Sequence, residues 1–528
     1  QWFLKYPCVK ESADAVANGE ITFRPARWSK TYSHWLDNIQ DWCISRQLWW
    51  GHQIPVWYRK DSVDTLQGAE SLDVSDMKAG DIYVGAEPPT DPENWVRDED
   101  VMDTWFSSWL WPFATMNEAE RGKFYPTADL VTGPDILFFW VARMIMASHR
   151  FQEELPFKNV FFTSIIRDSQ GRKMSKSLGN SPDPIDLMDE YGADGLRFGL
   201  LRTAPIGSDV KFDEQLVAEG RNFANKIYNA CRFRQMASGE DTVNSVKPFS
   251  EISGLRPYHY DVARKLDGLA VNLEKSYADY KFNEVGQQLY DFLWGEFCDK
   301  FLEAVKGDLR DSATAEARET TLAVFDAVMS RYLQLLHPYM PHITEELSAR
   351  MGYVAKGEFL MQKVYPEDTL SPEGEAEAAK SDHIYATAGK MRNLKAEYNV
   401  ASRKDVKFII IKSSDWLADE ADVLGLLAGG EISIEESYDA PKGTPAAISE
   451  VGEIYMPLEG LIDVEAERSR LDKEISKIEK EVKKCEGKLG NKAFTDKAPV
   501  ELVDREKARR DEWAQKLSQL QEMRASLI

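Results

Sequence analysis

Lys173-Met174-Ser175-Lys176-Ser177 packs two ammonium groups and two hydroxyls into one short stretch, with Gly171 just before it and Leu178-Gly179-Asn180 just after. Residues of these types on a mobile loop suit a polyphosphate. Lysine ammonium groups can meet charge on the β- and γ-phosphates while a bond at the α-phosphorus breaks, and hydroxyls can bond the phosphate oxygens. Lys176 is the first candidate for that catalytic role and Lys173 the second. A solvated basic turn would carry the same letters, so the surroundings of the pentapeptide must decide between the two.

Those surroundings read as an α/β body. Val160 to Ile166 is a β-branched and aromatic run ending at a turn, as expected of a buried parallel strand. Before it, Leu130-Val131-Thr132-Gly133-Pro134-Asp135 leads into an apolar helix expected from Ile136 to about Phe151. That order of strand, turn, helix and strand is one unit of a doubly wound sheet. The α/β character extends to about residue 217, with a polar, acidic insertion expected over 58–100.

From 218 to about 370 apolar positions recur at helical spacing, as in Val285, Leu289, Phe292, Leu293 and Phe297, which predicts a helical bundle. A small mixed α/β region over 371–460 should hold a helix near Ile384 to Tyr398 and a strand at Val406 to Ile411. From 461 to 528 Leu471, Ile475, Ile478, Val482, Cys485 and Leu489 alternate by four and three. After Pro499 a second seam runs through Val503, Trp513, Leu517, Leu520 and Leu527. The two seams predict an antiparallel coiled-coil hairpin.

Size and composition set bounds on this reading. A chain of 528 residues exceeds one hydrophobic core, and about three or four domains are expected. No apolar run approaches the roughly 20 residues of a membrane-spanning helix, so a soluble, cytoplasmic protein is expected. The segment starting Gln1-Trp2-Phe3 looks internal. The five cysteines stand far apart, which suggests reduced, buried thiols and neither a zinc site nor a disulfide framework. A formal charge of −23 argues against bulk attraction to nucleic acid, so any RNA contact must be local. The segment from Asp463 onward is the exception, with 16 Lys and Arg against 15 Asp and Glu. Its rows Lys477, Lys480, Lys483, Lys484, Lys488 and Arg505, Lys507, Arg509, Arg510 suit phosphates, or else form the solvated face of the hairpin.

The pentapeptide is the KMSKS loop that marks class I aminoacyl-tRNA synthetases. Around it Asp41 to His52 (DWCISRQLWWGH), Asp103 to Ser108 (DTWFSS) and Phe138 to Met144 (FFWVARM) resemble the valyl-tRNA synthetase family in particular. Asn222-Phe223-Ala224-Asn225-Lys226 and the terminal hairpin are similar too, so the resemblance covers nearly the whole chain. It implies the second half of a class I Rossmann-like nucleotide-binding domain over 1–217, a helical anticodon-binding domain over 218–370 and a tRNA-binding arm over 461–528. Nothing in the chain matches the His-Ile-Gly-His type motif of such enzymes. That motif and an editing domain are expected upstream of Gln1.

The resemblance assigns Lys173, Met174, Ser175, Lys176 and Ser177, together with Gly133 and Asp135, to ATP. The Asp135 carboxylate would accept bonds from the ribose hydroxyls, and Gly133 would admit a close backbone. Trp105, Ile136 and Trp140 would line the valine pocket, although core packing is the commoner fate of such residues. The implied activity is valine-tRNA ligation with ATP and Mg2+, with tRNA(Val) as partner, no membrane contact, no resident metal, and a monomer as the full-length enzyme. Isoleucyl- or leucyl-tRNA synthetase and a non-catalytic tRNA-binding protein are the alternatives. Asp41, whose stretch could equally be a packed helix burying Trp42 and Trp49, remains open as an adenylate-site residue. Arg46 and Arg143 are open between phosphate contact and internal ion pairing. His337 and His342 lack a third ligand and read as helix-end or core histidines.

Overall fold

A computed structural model of the chain describes residues 1–62, 78, 80–239, 243, 245–364, 374–400, 405–412, 414–441, 444–458, 461, 464–491 and 499–526. They form two compact units. The first comprises Gln1–Glu190, Gly199–Ala218 and Lys275–Val285, and the second Tyr191–Phe198, Glu219–Glu274 and Gly286–Ile528. Among the described residues no helix is long and apolar enough to cross a membrane.

The first unit is built on a parallel sheet in which strand Phe157–Phe162 lies between Thr22–Arg24 and Thr127–Thr132. Val160 stands opposite both Phe23 and Leu130, which aligns the carboxyl ends of all three strands. One face buries Val160 and Phe162 with Phe23 against Leu137, Val141, Met144 and Ile145 of the crossover segment, and Phe157 joins the same core cluster. The other face carries Phe161, which stacks on Tyr280 at 5.9 Å and meets Phe282 edge-on at 5.2 Å. That face is covered at Phe161 but stays open at Val131, which is 61% exposed.

The sheet differs in detail from its sequence reading. The central strand spans Phe157–Phe162 and not 160–166, because Thr163 to Ile165 leave the ladder and Ile166–Arg167 pair separately with Val210–Lys211. The crossover is not one helix from Ile136. It opens as a 3-10 turn, Pro134–Ile136, widens into a π-helix, Leu137–Val141, and becomes α-helical only over Ala142–Gln152. Within the polar 58–100 stretch, Ile82–Val84 and Trp95–Arg97 flank Val56–Arg59 in an antiparallel sheet. Most of the intervening acidic run lies outside the described residues.

The second unit packs the greater part of the helices Glu214–Ser238, Pro257–Ala278 and Phe282–Asp291 with the helices Ala315–Leu336 and Pro341–Met351. The helical period continues through Phe292–Phe301 as a π-helix that buries Phe292, Leu293, Phe297, Cys298 and Phe301. At the bundle centre Arg234 meets Asp326 at 2.6 Å, and the Tyr353 hydroxyl donates to the same carboxylate at 2.8 Å.

Beyond the bundle, a helix runs Glu375–Glu397, starting earlier than the predicted Ile384, and is followed by strand Lys407–Lys412. That strand is central in a four-stranded sheet, paired in parallel with Glu431–Glu435 and antiparallel with Gly452–Tyr455, whose far side takes Ala446–Ser449. The terminal helices Val464–Leu489 and Val500–Ser526 run antiparallel, since Lys488 pairs with Glu506 and Asp472 with Arg524. Leu471, Ile478 and Leu520 are buried between them, with Ile475, Val482, Trp513 and Leu517 packed around. Leu527 lies outside the described residues.

Candidate active site

Two loops leave the carboxyl ends of neighbouring parallel strands, where open α/β sheets take their ligands. Thr127–Thr132 runs into Gly133-Pro134-Asp135, and Phe157–Phe162 runs through Thr163, whose N–H donates to the Thr132 carbonyl at 2.9 Å, toward the basic hairpin. A Cβ on Gly133 would lie 2.6 Å from Asp135 Oδ1. Only glycine leaves the Asp135 carboxylate its observed position, exposed above the strand end.

The basic hairpin is tightly made. Arg167 and Lys173 form a bridge across it, Asp168 and Arg172 are joined by a backbone bond of 3.0 Å, and Gly171 takes φ +81° at the turn. Asp168 is buried, and its carboxylate accepts from the Gln170 and Arg172 backbone N–H groups, from Arg172 Nε at 2.8 Å and from Asn180 Nδ2 at 3.0 Å. The Asn180 bond, with those from Arg172, holds the Asp168 carboxyl down at about 2. Arg167 is ion-paired with Asp209. Lys173 is exposed, Met174 and Ser175 are half-buried, and Ser177 is exposed with its Oγ 3.2 Å from that of Ser175. Lys176 opens a single 3-10 turn, Lys176–Leu178; its side chain lies outside the described residues.

Of the predicted valine-pocket residues, Trp105 and Trp140 meet at the short helix Thr104–Ser108, while Ile136 ends the 3-10 turn before the π-helix. Asp103 caps it, accepting from Trp105 N–H at 3.0 Å. The Trp105 ring stacks on Phe139 of the π-helix at 5.8 Å, and Trp140 Nε1 donates to the Ser108 carbonyl at 2.9 Å. Trp105, Ile136 and Trp140 are all half-buried. The π-helix Leu137–Val141, a form that commonly marks a functional segment, therefore brings Trp140, four residues after Ile136, to the helix of Trp105.

Asp103 also accepts from Trp42 Nε1 at 3.1 Å and from Arg46 Nη2 at 2.5 Å. Arg46 donates further to the Cys43 and Ser45 carbonyls. Arg143 lies over the Trp42 ring, bonds the Tyr6 hydroxyl at 3.1 Å and is buried. Arg143 is thus committed to the interior, whereas Arg46 is ion-paired with Asp103 while 39% of its side chain stays exposed. The stretch around Asp41 is not a helix: Trp42–Cys43 and Ser45–Arg46 are short strands. Trp42 is buried, but Trp49 is 91% exposed and Trp50 84%, so the expected burial of Trp49 is overturned.

In the second unit His337 Nδ1 bonds Thr344 Oγ1 at 2.8 Å at the end of Ala315–Leu336, and His342 sits in the first turn of the next helix. Burial lowers the His337 pKa. Among the described residues no three His, Cys, Asp or Glu side chains come together as metal ligands. Cys231, Cys298 and Cys485 are buried, whereas Cys8 and Cys43 are partly exposed. On the terminal hairpin Lys484, Lys488, Lys507, Arg509 and Arg510 join ion pairs, while Lys477, Lys480, Lys483 and Arg505 are exposed with no ion pair among the described residues. Sequence reasoning gave no role to Asp103, Asp168 or Asn180. Their only signal was position beside a motif.

Residues 1–213 match the model of "tRNA synthetases class I (I, L, M and V)", 261–410 that of "Anticodon-binding domain of tRNA ligase", and 463–527 that of "Valyl tRNA synthetase tRNA binding arm". Valine–tRNA ligase of Chlorobaculum tepidum is 38% identical over 97% of this chain, and that of Geobacillus stearothermophilus 39% over 98%. The chain belongs to the valine–tRNA ligase family of class I synthetases. It spans 57% of the length of each of these two relatives. Among solved structures, Mycobacterium tuberculosis methionyl-tRNA synthetase in complex with methionyl-adenylate is similar to this class I synthetase chain with a TM-score of 0.48 and 20% identity, over 69% of this chain and 67% of that one.

Proposed function

We propose that this chain supplies the phosphate loop, part of the adenosine and valine sites and the tRNA-binding modules of a valine–tRNA ligase. The observation that carries this reading is that Gly133–Asp135 leaves the carboxyl end of Thr127–Thr132, while the adjacent parallel strand Phe157–Phe162 leads through Ile166–Arg167 into the Lys173–Ser177 loop. In the first step a valine carboxylate oxygen bonds the α-phosphorus of ATP and pyrophosphate leaves. In the second, a 3′-terminal ribose hydroxyl of tRNA(Val) bonds the acyl carbon and AMP leaves.

Neither step needs much proton transfer from the protein, so its residues act by positioning and charge stabilisation. Lys176 and Lys173 meet the departing pyrophosphate, with Met174, Ser175 and Ser177 completing the loop around it. Asp135, beside Gly133, accepts from the ribose hydroxyls. Trp105, Ile136 and Trp140 enclose the small branched side chain. Mg2+ travels with the ATP polyphosphate.

Residues 218–370 fit anticodon recognition, and the exposed Lys477, Lys480, Lys483 and Arg505 fit RNA phosphates on the 461–528 arm. A cavity of about 400 Å³ lies between Glu214–Ser238 and Pro341–Met351, lined in part by Tyr228, Arg232, Gln235 and Arg350. The full-length enzyme is read as a cytoplasmic monomer.

Pyrophosphate exchange by the full-length protein tests the reading, with valine, isoleucine and leucine offered separately. Valine-dependent exchange is expected; a strong preference for isoleucine or leucine, or no exchange with any of the three, would overturn it. The 528-residue chain alone, which holds no His-Ile-Gly-His type motif, should show no exchange while still binding tRNA.

A further inference from the structure

Asn180 lies outside the pentapeptide, yet its side chain touches the residues that bound and build the loop. Its Oδ1 accepts the Ser175 N–H at 3.0 Å; its Nδ2 donates to Asp168 Oδ2 at 3.0 Å and to the Lys173 carbonyl at 3.3 Å. Gly179, at φ +62°, turns the chain back so that this contact is made. Asp168 holds the other side of the hairpin through Gln170 and Arg172. Only a carboxamide accepts from an N–H while donating to a carboxylate and a carbonyl, because a carboxylate has no donor and a hydroxyl has a single one.

We propose that Asn180, anchored on Asp168, is a positioning residue that sets the backbone of Lys173 to Ser177 for the nucleotide step. The inference rests on the reading of that loop as the phosphate loop and extends it beyond the motif. Asp168 engages Arg172, so the neighbouring guanidinium is held in the frame while Lys173 stays exposed. The two lysines can stabilise developing charge only if the backbone carrying them is fixed in advance. In this role Asn180 acts through the loop, by its bonds to Ser175, Lys173 and Asp168.

Asn180→Ala, Asn180→Asp and the exchanged pair Asp168→Asn with Asn180→Asp test this in the full-length protein. In valine-dependent pyrophosphate exchange, Asn180→Ala should lower kcat/KM for ATP roughly 10- to 100-fold, the size expected of misplaced reacting groups, with the KM for valine unchanged. Asn180→Asp should be worse, since it sets two carboxylates face to face. The exchanged pair should recover part of that loss, because an amide again faces a carboxylate. An unchanged ATP dependence in Asn180→Ala, or an equal fall for valine and ATP, would overturn the proposal.

Trypsin cleavage after Arg172, Lys173 and Lys176 reads the frame without any activity. Asn180→Ala should be cut faster there and at the wild-type rate elsewhere; equal rates at these sites would also overturn the proposal. If the wild-type protein exchanged no pyrophosphate, the functional reading would fall, and the cleavage rates alone would decide the role of Asn180.

Discussion

The guanidinium carbon of Arg143 lies 3.6 Å from the centre of the Trp42 ring, inside the first unit. Tyr6 stacks on Trp42 at 5.7 Å and its hydroxyl accepts from Arg143, so a cation is held among aromatic rings without a carboxylate in direct contact. Lysine cannot lay a flat, multiply donating group over the indole. Arg143→Lys should therefore destabilise the protein by about 2 kcal/mol, read as a lower urea midpoint with an unchanged slope.

Trp42 and Trp49 sit in the same stretch of sequence with opposite environments, which gives a paired test. Trp42→Ala removes a buried ring and a bond to Asp103, and should cost roughly 3–5 kcal/mol. Trp49→Ala removes a side chain that is 91% exposed, and should move stability by no more than about 0.5 kcal/mol. Thermal melts of the two variants separate the cases.

Asp168 makes the frame of the basic loop depend on acid. Its folded pKa, held at about 2 by Asn180 and Arg172, lies below the ordinary carboxylate value of about 4. The stabilisation is therefore complete above about pH 4 and is lost as pH falls through about 2. Hydrogen exchange at the Arg172 and Ser175 amides, corrected for intrinsic rates, should accelerate over that interval. In Asp168→Asn exchange should already be fast at pH 4 and show no such step.

Arg234 and Asp326 form the buried pair of the bundle, 2.6 Å apart. Burial raises the Asp326 pKa against the opposing pull of Arg234. Arg234→Met strands a buried carboxylate and should cost about 3–5 kcal/mol, whereas Arg234→Met with Asp326→Leu should recover most of that loss. Denaturant titration of the two variants reads the difference.

Trp140 donates to Ser108 while bordering the proposed valine pocket. If the pocket is as proposed, Trp140→Phe should keep valine exchange but weaken discrimination against isoleucine by roughly 10-fold, about the worth of a methylene in such a pocket. Exchange rates with the two amino acids give the ratio.

What could be read in advance was whatever a local pattern encodes. The Lys173–Ser177 loop, the helical periods of the bundle and the terminal seam through Leu471, Ile478 and Leu520 are such features, because spacing along the chain alone fixes which residues share a helix face. The strand, turn, helix and strand order around Gly133 was legible for the same reason. The tertiary structure decided matters of partnership. It moved the central strand to Phe157–Phe162, because pairing with Thr22–Arg24 and Thr127–Thr132 sets where a ladder ends. It inserted a π-helix at Leu137–Val141, buried Trp42 while exposing Trp49, drew Arg143 inside and paired Arg46 with Asp103. It also tied Asn180 to Asp168 across the hairpin. Each of these rests on contact between residues distant in sequence or on opposite sides of a turn, and no periodicity along a single chain carries that information.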